Sequence, residues 1–335
     1  MIAEVDAHGL KTGLFKWNTW RPRLTPSILF YTGTADQLDP GAKLILSAYE
    51  VFESVPDDQT LKRIQVLLTW PSRPRPELLS KLSGLKMIQT LSAGVDALNF
   101  ELIPKGVKVF SNAGAYTDTA AEHVWGLALG MAKGLHAGRL RLTPRHLRSG
   151  IILVVGCGAI GSEVARLARS SLGMSTIGVS RSFKKPELFD ERYPISELGE
   201  VIGRADLVIN ALPLTRATKG TFNYSILSRS KQDVVIANIG RGETVDEESL
   251  TRFLKERPGS RYATDVFWKR DGREVFDTKL WELPNFGGTV HTASAQDPAA
   301  LAHAQEEAAK NVRLFLETGA ALNQVDVEEY LEQGT

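Results

Sequence analysis

The feature that most constrains the fold is segment 151–162, where five apolar residues run into the turn Gly156-Cys157-Gly158-Ala159-Ile160-Gly161. A helical pattern follows and ends near Leu172. A strand, a G-x-G-x-x-G turn and a helix in this order are typical of dinucleotide-binding units. Gly156 would allow the tight turn, Gly158 the approach of a pyrophosphate, and Gly161 close packing of helix and strand. The N–H groups of the first helical turn would face the phosphates. The alternative is that the glycines only turn the chain.

Composition excludes several classes of function. The 335 residues suffice for two domains, and 43% hydrophobic with 24% charged residues is ordinary for a globular chain. A net charge of +1 gives no case for binding nucleic acid or an anionic membrane. The single cysteine, Cys157, allows no intrachain disulfide and no multi-cysteine metal site, so no metal is expected. Because no apolar run suggests a membrane span or a signal peptide, we expect a cytoplasmic protein.

Short apolar runs alternate with helical patterns along most of the chain, which predicts an α/β fold with parallel sheets. Residues 1–25 are interpreted as an arm over the surface, and the basic segment 139–148 as a solvated or dimer-facing connector. The predicted strands are 27–31, 65–69, 87–91, 107–110, 151–155, 176–180, 207–211, 233–237, 261–265 and 288–290. The predicted helices are 76–85, about 117–135, a helix after the glycine turn that ends near 172, 243–254 and 299–316.

Several motifs occur in a fixed order, namely Leu91-Ser-Ala-Gly-Val-Asp96, Ala120-Ala-Glu-His123, the glycine turn, Asn238-Ile-Gly-Arg-Gly-Glu-Thr-Val-Asp-Glu247, Ala263-Thr-Asp-Val-Phe267 and Thr289-Val-His291. This set resembles the D-isomer-specific 2-hydroxyacid dehydrogenases over about residues 65–320. The resemblance implies two Rossmann-like domains with parallel sheets and an active site in the cleft between them. It implies a discontinuous, flavodoxin-like substrate domain of residues 1–118 and 295–335, and a dinucleotide-binding domain of residues 119–294.

The resemblance also implies a catalytic set. Reduction of a 2-keto acid needs a cation for the carboxylate, polarisation of the carbonyl and a proton donor. Arg241 would supply the planar cation, and His291 would be the general acid in reduction and the base in oxidation. The backbone N–H groups of Ala93, Gly94 and Val95 would hold the substrate carboxylate.

One departure concerns the partner of His291. The family pattern places a glutamate that hydrogen-bonds the histidine and raises its pKa. Counting forward from Asp265 puts Arg270 at that position, and the loop is about two residues longer than the pattern. Asp271 or Glu274 could replace the glutamate, or His291 could lack a carboxylate. Val290 also stands where the family has proline.

The second strand of the dinucleotide unit ends in Ser180-Arg181-Ser182 and brings no carboxylate for the adenosine ribose. These residues can donate to a 2′-phosphate, which favours NADP over NAD and resembles the glyoxylate/hydroxypyruvate reductases of the family. The positions expected to contact the cofactor are Gly156, Gly158, Ala159, Ile160, Gly161, Ser180, Arg181, Ser182, Leu212, Pro213, Ile239 and Asp265.

The sequence therefore predicts an NADP(H)-dependent enzyme that reduces a small 2-keto acid such as glyoxylate or hydroxypyruvate to a D-2-hydroxy acid. A homodimer is expected, with residues 119–150 forming much of the interface. Two alternatives remain open. One is an NADP(H)-binding regulatory protein with vestigial activity, and the other is a family dehydrogenase for a different anion, such as phosphoglycerate, formate or phosphite.

Overall fold

The computed structural model describes residues 25–137, 142–294 and 296–331, so the predicted arm lies almost wholly outside the described residues. The first sheet is entirely parallel and has the order β2-β1-β3-β4-β5. This 2-1-3-4-5 order is the flavodoxin-like one. Its strands are β1 (Ser27–Tyr31), β2 (Glu50–Phe52), β3 (Ile64–Thr69), β4 (Met87–Thr90) and β5 (Lys108–Phe110).

The second sheet is also parallel, and its order from one edge is β8-β7-β6-β9-β10-β11-β14. This is the 3-2-1-4-5-6 order of dinucleotide-binding folds with one strand added at the edge. The strands from here on are β6 (Ile151–Val155), β7 (Ser175–Val179), β8 (Glu191–Tyr193), β9 (Leu207–Asn210), β10 (Val235–Asn238), β11 (Arg261–Thr264), β12 (Lys269–Arg270), β13 (Arg273–Glu274) and β14 (Phe286–Gly288). Strands β12 and β13 form a separate antiparallel hairpin.

Two long helices join the sheets. The helices are α1 (Pro40–Ile45), α2 (Asp58–Leu61), α3 (Pro76–Leu79), α4 (Thr117–Lys133), α5 (Ala159–Leu172), α6 (Leu198–Val201), α7 (Tyr224–Leu227), α8 (Glu247–Glu256) and α9 (Pro298–Thr318). Helix α4 buries Val124 and Ala128 in the core of the second sheet. Helix α9 returns to the first sheet, where it buries Val312 and Phe315. Among the described helices, none combines the length and apolar character that crossing a bilayer requires.

Two predicted helices differ most from the observed bounds, which run over Pro76–Leu79 and Glu247–Glu256. The helix predicted over 76–85 ends at Leu79, and turns follow, in which the N–H of Leu82 donates to the carbonyl of Leu79 at 3.2 Å. The helix predicted from 243 begins at Glu247 because the Asp246 carboxylate caps it, accepting from the N–H of Ser249 at 2.8 Å. The short edge strands β2 and β8 were not predicted. The final strand lies two residues earlier than expected.

Candidate functional site

The glycine turn has the geometry of a phosphate cradle. Gly156 has φ of +97°, a conformation that favours glycine, and a Cβ atom on Gly161 would overlap the carbonyl oxygen of Gly156. Gly158 faces open space, with no atom within 4 Å of where its Cβ would lie. No side chain caps helix α5, which begins directly after Gly158. Its first N–H groups are therefore available to an anion, so this turn fits a dinucleotide pyrophosphate.

The positions predicted around the adenosine differ in exposure. Arg181 extends from the end of β7 with 79% of its side chain exposed, and it forms an ion pair with Glu329. The N–H of Ser182 donates to the Ser180 hydroxyl at 3.4 Å. Leu212 packs in the core of the second sheet, whereas Pro213 is exposed. Glu329 was not anticipated, because it lies 148 residues further along the chain.

A cleft of about 700 Å³ is lined by loops that follow strands of both sheets. Ile160 and Ile239 line it from the second sheet, and Ala93 and Gly94 line it from the first. Val95 is buried beneath this loop and is 2% exposed. Among the described residues, nothing accepts a hydrogen bond from the N–H groups at 93–95. The N–H groups of Ala93 and Gly94, which line the cleft, are therefore available to an anion there.

Arg241 reaches across the cleft to the loop after β4. Its Nε donates to the Asp96 carboxylate at 2.8 Å, and Nη1 donates to the Gly240 carbonyl at 2.8 Å. A Cβ atom on Gly94 would overlap Nη2 of Arg241, so a larger residue there would displace the guanidinium from its present position. The guanidinium side chain is 21% exposed. The contacts fix its plane against the loop whose N–H groups are free.

Lys269 is a second cation at this point, and the sequence reasoning missed it. Its Nζ forms an ion pair with the other oxygen of Asp96, whose side chain is 8% exposed. Burial raises the pKa of the Asp96 carboxyl, but the charges of Arg241 and Lys269 outweigh it and bring the pKa to about 2. Asp96 therefore connects the loop after β4 to Arg241, which follows β10, and to Lys269 in β12.

This lowered pKa predicts an acid-dependent loss of stability. A carboxyl whose folded-state pKa lies below the unfolded value of 3.8 stabilises the fold above that value, and this stabilisation is lost as pH falls toward 2. We expect Asp96→Asn to lower the free energy of unfolding by about 2 kcal/mol at pH 7 and by about 1 kcal/mol at pH 3. Urea unfolding at both pH values measures this. An equal loss at both would contradict it.

His291 has a carboxylate partner, and it is Glu274. The Nδ1 atom of His291 lies 2.5 Å from Oε2 of Glu274, while Oε1 of Glu274 accepts from the N–H of Phe267 at 2.8 Å. His291 has φ of +53°, and its N–H donates to the Asp265 carbonyl at 2.8 Å. Such a backbone conformation is uncommon for histidine and is held in place by these contacts.

The loop after Phe267 forms the hairpin β12–β13, whose two-residue turn is Asp271-Gly272. Both turn residues have positive φ, +52° and +74°, as a type I′ turn requires. The hairpin directs Arg270 outward, where it donates to the Glu247 carboxylate at 2.9 Å. Counting residues forward therefore gave the wrong position for the partner of His291. The Asp-Gly pair was the sequence signal for this turn.

Glu274 gives a test of the His291 pair. Glu274→Gln is expected to lower kcat for keto-acid reduction roughly 10- to 100-fold, because the carboxylate engages Nδ1 and so fixes the orientation of the ring that donates the proton. Asp271→Asn is the matched control, since asparagine tolerates positive φ. A kcat within about twofold of the wild type in Glu274→Gln would contradict the assignment.

Asp265 organises the loop that carries His291. Its carboxylate is 1% exposed and accepts from the Thr289 hydroxyl at 2.7 Å and from the N–H groups of Thr292 and Ala293 at 2.9 and 3.2 Å. His123 Nε2 lies 2.7 Å from the same hydroxyl. Burial raises the pKa of Asp265, but the hydrogen bonds from His123, Thr289 and Thr292 outweigh this effect. The pKa of Asp265 is therefore below its ordinary value. Asp265 lines the cleft where a nicotinamide was expected.

Known proteins resemble this chain in sequence and in fold. The family model "D-isomer specific 2-hydroxyacid dehydrogenase, NAD binding domain" matches residues 112–293. The chain is 28% identical to a glyoxylate reductase of Thermococcus kodakarensis, over 72% of this chain and 78% of that protein. It is 25% identical to glyoxylate/hydroxypyruvate reductase B of Pectobacterium carotovorum, over 81% of this chain and 89% of that protein.

The fold is shared with a solved D-isomer specific 2-hydroxyacid dehydrogenase of Xanthobacter autotrophicus, determined in complex with NADPH and MES. The TM-score is 0.74 at 24% identity, and the match covers 92% of this chain and 100% of that one. The family match spans more than half of the chain, including the glycine turn, Arg241 and His291. The chain therefore belongs to the D-isomer-specific 2-hydroxyacid dehydrogenases and is an NAD(P)-dependent oxidoreductase.

Proposed function

We propose that this enzyme reduces small 2-keto acids, such as glyoxylate or hydroxypyruvate, to D-2-hydroxy acids. The observation that carries the proposal is one cleft lined by Arg241, by His291 with its Glu274 partner, and by free backbone N–H groups. The names of the Thermococcus and Pectobacterium relatives support this substrate class. The cleft supplies a cation, a proton donor and an anion-binding loop, which are the three requirements of keto-acid reduction.

The chain's own residues have separate roles in the proposal. The N–H groups of Ala93, Gly94 and Val95 bind the substrate carboxylate, and the guanidinium of Arg241 orients it and polarises the keto oxygen. His291 donates a proton from Nε2 to that oxygen, because its Nδ1 is engaged by Glu274. In the reverse direction Nε2 accepts the proton. Closure of the cleft excludes water from these groups.

The cofactor is held by the positions that the sequence predicted. A bound nicotinamide supplies the hydride for the carbonyl carbon. The pyrophosphate cradle is formed by Gly156, Gly158, Ala159, Ile160 and Gly161. The rest of the cofactor site is lined by Leu212, Pro213, Ile239 and Asp265. We propose NADP as the preferred cofactor, because Ser180, Arg181 and Ser182 can donate to a 2′-phosphate and none is acidic.

A substrate panel tests this function against its alternatives. NADPH oxidation is followed with glyoxylate and hydroxypyruvate, and NADP reduction is followed with 3-phosphoglycerate, formate and phosphite. We expect the highest kcat/KM with the two small keto acids. A higher kcat/KM with another anion would contradict the proposed substrate class. The regulatory alternative depended on the lack of a carboxylate beside His291, and Glu274 supplies one.

The remaining parts of the proposal concern organisation. We propose residues 1–118 with 295–335 as the substrate domain and 119–294 as the cofactor domain, which the family match over 112–293 supports. A homodimer through residues 119–150 is proposed from the resemblance, and light scattering of the purified chain tests it. The cytoplasmic location stays a prediction.

A further inference from the structure

Segment 326–331, which follows the long helix α9, connects the two sheets outside the active-site loops. Tyr330 stacks on Phe100 with ring centroids 4.8 Å apart, and Val327 and Leu331 pack against the core of the first sheet. The carboxylate of Asp326 caps the short turn by accepting from the N–H of Glu328 at 3.1 Å. The segment is therefore fixed on the side of the first sheet.

The same segment contacts the cofactor side through two arginines. Nη2 of Arg216 donates to the Glu328 carbonyl at 2.7 Å, and the N–H of Arg216 donates to the Glu329 carbonyl at 3.4 Å. The Glu329 carboxylate forms the ion pair with Arg181, and its side chain is only 25% exposed. The Glu329 carboxylate is thus paired with the Arg181 guanidinium, which the proposed function assigns to the 2′-phosphate of NADP.

We propose that Glu329 is a specificity-determining residue for the cofactor, a resident counter-charge of Arg181 that weakens binding of NADP(H) relative to NAD(H). The proposal rests on the proposed function, because it takes Arg181 as the adenosine-side contact. A 2′-phosphate and the Glu329 carboxylate compete for one guanidinium. NAD(H) carries a neutral hydroxyl at that position and does not compete for it.

The pair is weak enough to be displaced. Arg181 is mostly solvent-exposed, and exposed ion pairs contribute little, whereas a phosphate brings more charge and three acceptor oxygens. The enzyme therefore still binds NADPH, but less tightly than it would without Glu329. We expect Glu329→Gln to lower the Kd of NADPH about three- to tenfold. The Kd of NADH is expected to stay within about twofold of the wild type.

Fluorescence titration of the full chain with NADPH and with NADH, at one ionic strength, tests the proposal without turnover. Glu328→Gln is the matched control, because Glu328 contacts Arg216 through its backbone carbonyl. Thermal unfolding checks that both variants are folded. An NADPH Kd within about twofold of wild type in Glu329→Gln, or an equal gain in Glu328→Gln, would overturn the proposal.

Arg181→Ala separates this proposal from the proposed function. If Arg181→Ala weakens NADPH binding while Glu329→Gln has no effect, NADP preference stands and the role of Glu329 is overturned. If Arg181→Ala leaves NADPH binding unchanged, the NADP preference itself falls. In the Arg181→Ala background, the gain from Glu329→Gln is expected to drop below about twofold. A gain of undiminished size there would show that Glu329 does not act through Arg181 and would overturn the proposal.

Discussion

His291→Asn is expected to lower kcat for glyoxylate and hydroxypyruvate reduction by about 10²–10⁴-fold, the usual contribution of a positioned acid or base. Asparagine retains a polar side chain and tolerates the positive φ of this position, so the backbone should remain in place. It cannot deliver a proton to the keto oxygen. Steady-state kinetics at saturating NADPH measure the effect, and a parallel titration should give an unchanged NADPH affinity.

An exposed histidine on helix α9, His303, gives the matched control. His303→Asn makes the same chemical change away from the cleft and should leave kcat within about twofold of wild type. A His291→Asn enzyme that retained wild-type kcat would show that another group donates the proton. Equal losses in both variants would point to a general effect of the substitution on the protein.

Arg241→Lys is the second large effect, with an expected loss of about 10²–10³-fold in kcat/KM for keto acids. Lysine keeps the charge but loses the planar fork. It cannot contact Asp96, the Gly240 carbonyl and a substrate carboxylate at the same time, as the Arg241 guanidinium is placed to do. Because the interaction polarises the carbonyl as well as binding the carboxylate, both kcat and KM should change.

Arg270→Lys is the control for this substitution, since Arg270 pairs with Glu247 at the surface. It should leave kcat/KM within about twofold of the wild type, as expected for an exposed ion pair. An Arg241→Lys enzyme with a raised KM and an unchanged kcat would contradict a role in polarisation. It would leave Arg241 as a group that only binds the carboxylate.

The sequence predicted the architecture because the strands are short, apolar and regularly spaced. Strands β1 and β6 have the predicted bounds, and the glycine turn lies at the point where the second sheet reverses its strand order. Arg241 and His291 follow strands of that sheet, so the sequence could place both at one edge. The edge strands β2 and β8 escaped prediction, because each has only three residues and none of them is fully buried.

The partner of His291 could not be found by counting, because counting assumes a loop of fixed length. The hairpin takes up the additional residues and returns Glu274 to the ring. The Asp271-Gly272 pair is the local sequence signal for that turn. Lys269 and Glu329 have no local signal at all. Lys269 contacts Asp96 across the cleft, and Glu329 contacts Arg181 from the side of the first sheet. Only the tertiary structure brings these partners together.

The most direct test of the central claim is NADPH oxidation with hydroxypyruvate from pH 5 to 9, with NADPH binding measured on the same preparation. The cleft geometry predicts turnover by the wild type that is lost in His291→Asn, while both proteins bind NADPH equally. A wild-type protein that binds NADPH but oxidises none with hydroxypyruvate or glyoxylate would contradict the claim. The regulatory alternative would then account better for the bound cofactor.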